Sequence, residues 1–373
     1  MNAVRVMIVE DSPTVLAALA RAIRADPRLT VVAECQSAEQ ALTKLDRAAP
    51  DVISMDIHLP GMSGLEATRR IMERRPTPIV IVSRSVNADD LHGTMEALRA
   101  GAVSAVEKPA CCRSADVDEA MRRLCRELAV MSRVKVVRQR FNRPPAKSVT
   151  SALGSVSTAR GGHASKFHMP TQSRGHSTPV DRPSIVGIVA STGGPRALEC
   201  VLDALGTDFP LPIVLVQHIT PSFQKGFVSW LAQVAPQRVQ EAAHGESPSP
   251  GCVYVAPAAK HLVLHGQRLA LDAREPICGQ CPSGTLLLQT LAESYGSRAV
   301  GVVLTGMGND GAEGLLAIRS AGGYTITEDE STAVVNGMPE AARTIGASCV
   351  SLPLESIGAA LRNLAPVAEE IRA

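Results

Sequence analysis

Short apolar runs recur along the chain, and several of them end directly in acidic, hydroxyl or cationic side chains. In the first third, residues 7–12 read MIVEDS and residues 53–61 read ISMDIHLPG. Residues 78–83, PIVIVS, and residues 104–109, SAVEKP, repeat the pattern. Runs of this length and β-branched content are typical of strands buried on both faces of a parallel sheet. The pattern predicts a first α/β domain over residues 1–130.

A second set of apolar runs begins after residue 183. Residues 184–190 (SIVGIVA), 212–217 (PIVLVQ) and 299–304 (AVGVVL) are short, β-branched and bounded by turn residues. Residues 196–205 and 312–321, which follow two of these runs, have the pattern of helices. Strands that alternate with helices predict a second parallel-sheet domain, over residues 184–373.

The apolar periodicity is lost between these two regions. Residues 138–183 are rich in Gly, Pro, Ser and Thr, and they contain one acid, Asp181, among many Lys and Arg. Because such a composition is typical of a flexible tether, we assign residues 131–183 to a basic linker. A basic tract can also bind nucleic acid or anionic lipid, and the sequence leaves that alternative open. The predicted fold is α/β, with two doubly wound parallel-sheet domains, one flavodoxin-like and one Rossmann-like, joined by this linker.

Composition limits the location and the partners of the protein. The chain has 373 residues, a net charge of +2 and nine scattered cysteines, which include the neighbours Cys111 and Cys112. An odd, scattered set predicts reduced thiols rather than a disulfide framework. No apolar run approaches the roughly 18 residues of a membrane span, and the early acids do not fit a signal peptide. We therefore expect a cytoplasmic protein with no direct membrane insertion.

Acidic side chains follow two of the strands predicted in the first domain. Glu10 and Asp11 follow one strand, and Asp56 follows another. Because the carboxyl ends of parallel strands meet at one edge of a sheet, these carboxylates are expected to converge there and to suit Mg²⁺, which prefers oxygen ligands. Ser83 and Lys108 end two further strands and would neutralise phosphate oxygens. Taken alone, each acid could instead be a helix N-cap.

These four motifs, in this order, resemble the receiver domain of bacterial two-component response regulators. The resemblance implies that Asp56 is the phosphoacceptor and that it binds Mg²⁺ together with Glu10 and Asp11. It implies that Ser83 and Lys108 contact the phosphoryl group. It also implies a histidine kinase as a partner.

Three polar side chains follow strands of the second domain in the same way: Ser191, His218 and Asp310. Parallel strands would bring them to one edge of the sheet. A serine hydroxyl becomes a nucleophile when a neutral imidazole takes its proton, and a carboxylate orients that imidazole. The glycine-rich turns after Ser191 and around Met307 would present backbone N–H groups to an oxyanion. This constellation predicts an acyl-transfer reaction.

Each part of this constellation has an alternative interpretation. The glycine turn at residues 191–194 could bind a phosphate, although it lacks the Walker and dinucleotide-binding spacings. His218 could be a structural hydrogen-bonding residue, and Asp310 could cap the helix that begins near residue 312. Two other classes stay open, a receptor-binding scaffold or phosphate sink, and a DNA-binding regulator. The lack of a helix-turn-helix signature and the scarcity of aromatic residues argue against nucleic acid as a partner.

Five segments of the second half together resemble the catalytic domain of the chemotaxis protein-glutamate methylesterases, the CheB family: VASTGGP, VQHI, VAPAAKHL, TGMGNDG and VVNGMPEAA. The resemblance implies Ser191, His218 and Asp310 as a triad. It places Thr192 beside the nucleophile and the Met307 backbone N–H at the oxyanion site. The implied reaction releases methanol from glutamate 5-O-methyl esters on methyl-accepting chemoreceptors, and many members also deamidate receptor glutamines. It implies no cofactor in this domain and a histidine kinase of the chemotaxis type as the partner. We also expect a monomeric protein.

The chain departs from these family patterns in two places. Many receivers have an aromatic switch residue where this chain has Ala105, so the route by which phosphorylation is relayed stays open. Methylesterases commonly read RPSVD where residues 281–285 read CPSGT, a change that bears on contacts with the receptor or the receiver. Cys278 and Cys281 form a C-x-x-C pair, a weak metal or redox signal on its own.

We expect phosphorylation of Asp56 to move the receiver away from the esterase crevice.

Overall fold

The computed structural model describes residues 3–83, 88–108, 114–134, 136, 182–277 and 279–366. Most of the predicted linker, the Cys111–Cys112 pair and Cys278 lie outside these residues. Each half of the described chain contains one parallel sheet, and the second half also contains a separate antiparallel hairpin. The predicted α/β class with two parallel-sheet domains is therefore confirmed. None of the described helices is both long and apolar enough to cross a membrane.

The first domain is a five-stranded parallel sheet with helices between its strands. The strands are Val4–Val9 (β1), Leu29–Cys35 (β2), Val52–Met55 (β3), Ile79–Ser83 (β4) and Ser104–Glu107 (β5). The helices are Pro13–Ala25 (α1), Ala38–Ala48 (α2), Gly64–Arg74 (α3), Ala88–Arg99 (α4) and Ser114–Met131 (α5). The strand order β2-β1-β3-β4-β5 is the flavodoxin-like order, with its ligand crevice at the carboxyl ends of β1 and β3.

The loop after β1 is short because the following helix begins almost at once. Ser12 is the N-cap of α1, its hydroxyl accepts a hydrogen bond from the backbone of Val15, and Pro13 occupies the first helical position. Side chains of β1 alternate between the apolar clusters on the two faces of the sheet, so the strand is buried. This arrangement leaves Glu10 and Asp11 at the carboxyl edge of the sheet.

The second domain contains a seven-stranded, fully parallel sheet. Its strands are Ile185–Ala190 (β6), Ile213–Gln217 (β7), Arg238–Glu241 (β8), Cys252–Val255 (β9), Ala299–Val303 (β12), Tyr324–Glu328 (β13) and Val350–Leu352 (β14), and the separate hairpin comprises His261–His265 (β10) and Arg268–Asp272 (β11). The helices are Gly194–Leu205 (α6), Gln224–Val234 (α7), Gly284–Tyr295 (α8), Ala312–Ser320 (α9), Gly337–Thr344 (α10) and Leu354–Leu364 (α11).

The strand order of this sheet is β14-β13-β12-β6-β7-β9-β8. Strand β6 lies at the centre, with β7 on one side and β12 on the other, so the chain winds outward from β6 in both directions. The crevice of such a sheet lies outside the carboxyl ends of its strands at this switch point. The three apolar runs predicted as strands are these three central strands, and each of them is fully buried.

The two domains contact each other through α4 of the first domain and α6 and α7 of the second. Arg99, at the end of α4, forms a 2.6 Å ion pair with Glu199 of α6. The indole of Trp230, on α7, donates a 3.1 Å hydrogen bond to Glu96 of α4. Leu91 of α4 also approaches Gly226 of α7 so closely that a Cβ at position 226 would lie 2.6 Å from Leu91 Cβ. These contacts place α4 against the second domain.

Candidate active site

The three residues predicted as a triad lie at the carboxyl edge of the second sheet. Ser191 directly follows β6, His218 directly follows β7, and Asp310 lies in the loop between β12 and α9. A cavity of about 480 Å³ opens at this edge, and its lining includes Ser191, Thr192, His218 and Met307. The switch point of the sheet therefore brings together side chains that are far apart in the sequence.

His218 and Asp310 form a direct pair. His218 Nε2 lies 2.8 Å from Asp310 Oδ2, and the two side chains are only 8% and 3% exposed. Burial opposes the negative charge, but the hydrogen bond from His218 and those from the backbone of Thr285 and Gly284 outweigh it and lower the pKa of Asp310 to about 2. Asp310 is therefore ionised at neutral pH, and it can orient the imidazole and stabilise an imidazolium.

The second ring nitrogen of His218 faces a different environment. Nδ1 is buried and has no hydrogen-bond partner among the described residues. Because Asp310 occupies Nε2, Nδ1 is the nitrogen that remains to accept a proton. His218 and Ser191 line the same cavity. The arrangement suits a general base whose tautomer is fixed from the side opposite the substrate.

Gln217 connects the backbone of the candidate nucleophile to that of the candidate base. Its Nε2 donates to the carbonyl oxygens of Ser191, at 2.8 Å, and His218, at 2.9 Å. A Cβ at Gly194 would lie 2.0 Å from Gln217 Oε1, so glycine is required where the turn passes this amide. The sequence analysis did not single out Gln217, although a polar residue at the end of a fully buried strand is a usable signal.

Thr305 holds the loop after β12 against the nucleophile. Its carbonyl accepts a hydrogen bond from Ser191 N at 3.0 Å, and its hydroxyl donates to Thr192 O at 2.8 Å. A Cβ at Gly306 would lie 2.7 Å from Ser191 Cβ, so only glycine allows this approach. Met307 follows and lines the cavity. Thr192 and Met307 thus line the same cavity as Ser191, and their role in oxyanion support stays a prediction.

Residues 281–285, which depart from the family pattern, surround the carboxylate of Asp310. Ser283 Oγ donates to Oδ1 at 2.8 Å, Gly284 N donates to Oδ2 at 2.6 Å, and Thr285 N donates to Oδ1 at 2.9 Å. The buried His261 accepts a hydrogen bond from Ser283 N at 3.1 Å. The segment therefore fixes the acid of the candidate triad, a role that the sequence pattern did not indicate.

The residues predicted to receive phosphate lie together at the carboxyl edge of the first sheet. The carboxylates of Glu10, Asp11 and Asp56 lie within 4.8 Å of one another. Lys108 Nζ is 2.7 Å from a carboxylate oxygen of Asp56 and 2.7 Å from one of Glu10. Ser83 is buried at the end of β4, and its carbonyl accepts a hydrogen bond from Lys108 N at 2.8 Å.

Electrostatics distinguish the members of this cluster. Burial raises the pKa of Glu10, and its contacts with Lys108 oppose that effect only in part. Burial disfavours the charge on Lys108, but hydrogen bonds to Asp56 and Glu10 outweigh it and raise its pKa. One ammonium group thus contacts two of the three carboxyl groups in the cluster. The carboxylates can carry more negative charge than the one ammonium group offsets, and their oxygens are the ligands that a hard divalent cation prefers.

The first domain forms one wall of the cavity beside Ser191. Ala105, Glu127 and Met131 line the cavity from that side. The hydroxyl of Thr220, two residues after His218, lies 3.5 Å from the carbonyl oxygen of Ala105. Val334, in the loop after β13, packs on the apolar cluster of the first domain. Access to the cavity therefore depends on where the first domain sits.

Two family models match the chain. Residues 6–122 match the response regulator receiver domain, and residues 186–361 match the CheB methylesterase. The chain is 48% identical to protein-glutamate methylesterase/protein-glutamine glutaminase 2 of Paramagnetospirillum magneticum, over 97% of both sequences. This chain belongs to the CheB methylesterase family. It is also 40% identical to protein-glutamate methylesterase/protein-glutamine glutaminase 1 of Syntrophus aciditrophicus, over 97% of this chain and 98% of that protein.

A solved methylesterase structure is similar to about half of the chain. The crystal structure of the Thermotoga maritima CheB methylesterase catalytic domain is 38% identical, covers 49% of this chain and 98% of that domain, and gives a TM-score of 0.47. Membership of the CheB methylesterase family, shown by the full-length relatives, confirms both resemblances found in the sequence. Family membership supports a hydrolase and does not support the alternative of a receptor-binding scaffold or phosphate sink. The domain boundaries and the roles of individual residues stay predictions.

Proposed function

We propose that the chain is a phosphorylation-activated protein-glutamate methylesterase, which hydrolyses glutamate 5-O-methyl esters on methyl-accepting chemoreceptors to glutamate and methanol. The observation that carries the proposal is the 2.8 Å contact between His218 and Asp310 beside Ser191, in a member of this family. The names of the relatives include glutaminase, so we extend the proposal to receptor glutamines. The same acyl chemistry would release ammonia from an amide.

The geometry suggests how the side chains would divide the reaction. Ser191 Oγ attacks the ester carbonyl while His218 Nδ1 takes its proton, and Asp310 stabilises the resulting imidazolium. The tetrahedral oxyanion accepts a hydrogen bond from the Met307 backbone N–H. His218 then gives its proton to the departing methanol, which leaves an ester between the glutamate and Ser191. Water, activated by His218, hydrolyses that ester and frees the serine.

The receiver would supply the control. Asp56 accepts a phosphoryl group from a histidine kinase, and Ser83 and Lys108 contact its oxygens. Glu10, Asp11 and Asp56 would hold Mg²⁺, which offsets negative charge during phosphoryl transfer. The close carboxyl cluster around Lys108 supports this assignment. We place the reaction in the cytoplasm, where kinase and receptor tails are available.

Phosphorylation would act by releasing the wall that the first domain forms beside Ser191. The contacts of Ala105 with Thr220 and of α4 with α6 and α7 support a closed resting state. A tether keeps the receiver at an effective concentration of about millimolar near its docking face, so a weak interface is enough to close the site. Moving such a gate from nearly shut to nearly open needs about 5.5 kcal/mol of differential stability.

The first test uses methanol as the readout. Purified full-length protein is incubated with methylated receptor, with and without a small phosphodonor, and methanol is measured. We expect methanol release that rises with the phosphodonor in the wild type. We expect no such rise in Asp56→Asn, which should keep the basal rate of the wild type. The amide of asparagine cannot accept the phosphoryl group. Receptor binding without methanol release would reject the esterase, and an equal rise in both proteins would reject Asp56 as the acceptor.

The Arg99–Glu199 pair tests the docked state. Arg99→Glu places like charges where the 2.6 Å ion pair lies, and this should weaken docking. We expect methanol release without phosphodonor to rise on the order of tenfold, the effect of ~1.4 kcal/mol of lost docking. The matched control is the double variant Arg99→Glu, Glu199→Arg, which restores opposite charges and should return the rate toward the wild-type value. Equal basal rates in all three proteins would contradict the gate.

A further inference from the structure

Glu328 is a buried acid beside the candidate triad, and the reaction described above does not use it. It ends β13, and its side chain is 1% exposed. Oε2 accepts a 2.8 Å hydrogen bond from Thr305 N, and Oε1 is buried without a hydrogen-bond partner in the described part of the chain. A carboxyl group in the protein interior with one oxygen unpaired is unusual enough to call for a reason.

Thr305 connects Glu328 to the nucleophile. The Thr305 carbonyl accepts from Ser191 N, and its hydroxyl donates to Thr192 O. The next residue, Gly306, packs on the side chain of Ser191. The carboxyl group of Glu328, which accepts from Thr305 N, therefore fixes the peptide of Thr305. This peptide in turn positions the turn at Ser191 and the oxyanion loop at Met307. Among the described residues, Glu328 is the one side chain whose carboxyl group accepts this N–H.

We propose that Glu328 is a positioning residue for the esterase reaction and that it acts in its neutral form. The inference rests on the proposed function of the same crevice. A neutral carboxyl accepts the Thr305 N–H without placing a negative charge beside residues 305–307, where an oxyanion would form. An ionised carboxylate would keep the hydrogen bond but would repel the oxyanion.

The surroundings of Glu328 favour the neutral form. Burial raises the pKa of Glu328 to about 7, against the opposing effects of the Thr305 amide and the Thr332 side chain. Of the charged groups that face it, Glu355 on α11 disfavours ionisation and Arg196 on α6 favours it. Arg343, on α10, donates to the main-chain carbonyl of Glu328 at 3.1 Å. Burial also raises the pKa of Cys200 on α6, so that thiol adds no charge at neutral pH.

The test compares two substitutions at this position in the full-length protein, with phosphodonor and methylated receptor present. In Glu328→Ala, loss of the acceptor should lower kcat roughly tenfold to a hundredfold while KM stays within about twofold. Glu328→Gln keeps an acceptor and cannot ionise, so at about pH 6 its kcat should stay within roughly threefold of wild type. As the pH rises to about 9, Glu328 of the wild type should ionise and repel the oxyanion. The ratio of the kcat of Glu328→Gln to that of the wild type should therefore rise about tenfold.

The control is Glu241→Gln, which removes an exposed carboxylate at the end of edge strand β8 and should give a ratio that does not change with pH. A flat ratio for Glu328→Gln would overturn the neutral-form assignment. An unchanged kcat in folded Glu328→Ala would overturn the positioning role. If this variant does not fold, the pH dependence of kcat in Glu328→Gln decides whether Glu328 has that role. The rate at which a fluorophosphonate labels Ser191 is measured in parallel. This labelling needs no receptor. If the wild type is labelled but releases no methanol, the proposed function is rejected. The labelling rates of the variants would still decide this inference.

Discussion

Replacing Ser191 with alanine is expected to lower methanol release by a factor on the order of 10⁴ to 10⁶. The substitution removes only the hydroxyl. The backbone contacts of residue 191, from its N–H to Thr305 and from Gln217 to its carbonyl, do not depend on the side chain. The fold and receptor binding should therefore persist, and the loss should appear in kcat rather than in KM. Initial rates at saturating methylated receptor measure it.

The control for this variant is Ser356→Ala, which removes an exposed hydroxyl on α11 and should leave turnover unchanged. Phosphorylation of Asp56 should be normal in both variants, since it occurs in the other domain. A loss of only a few-fold in Ser191→Ala would remove the nucleophile assignment. It would leave the His218–Asp310 pair, which could still activate water directly.

The central strands and the residues that end them could be predicted because the signal is local. Each of β6, β7 and β12 is a short apolar run that stops at a polar segment, and a parallel sheet brings such ends to one edge. The same reasoning located Asp56 and Lys108, which the structure brings within 2.7 Å of each other. The hairpin of β10 and β11 was not predicted, because a short hairpin outside the sheet has little periodic signal.

The residues that support the site could not be predicted, because their partners are chosen by tertiary packing. Asp310 is held by Ser283 and its neighbours from the start of α8, and Thr305 is held by Glu328 from the adjacent strand. Nothing in the local sequence around either partner marks these contacts. Ala105 is an intermediate case: the sequence identified it as a departure, but only the fold shows its carbonyl facing Thr220.

Asparagine at position 310 is expected to lower kcat on the order of 10⁴, with little change in KM. Three donors already surround this side chain, from Ser283, Gly284 and Thr285. If the amide oxygen of asparagine accepts from Ser283 and Thr285, its NH₂ group takes the place of Oδ2 and faces both His218 Nε2 and the N–H of Gly284. The imidazole must then accept at Nε2 and carry its proton at Nδ1, the nitrogen that should act as the base. The variant would therefore hold the wrong tautomer, and the Gly284 N–H would lose its acceptor.

The same substitution should change how stability depends on pH. The pKa of Asp310 is lowered from 3.8 to about 2, so the folded state favours the ionised form. That preference contributes about 2 kcal/mol to the free energy of unfolding. It is fully present above about pH 4 and is lost as the pH falls toward 2. Asp310→Asn should lack this contribution, whereas Asp203→Asn, at an exposed position on α6, should keep it. Denaturant unfolding at several pH values measures the difference. If the free energy of unfolding depends on pH in the same way in Asp310→Asn and wild type, and kcat is near normal, Asp310 does not orient His218.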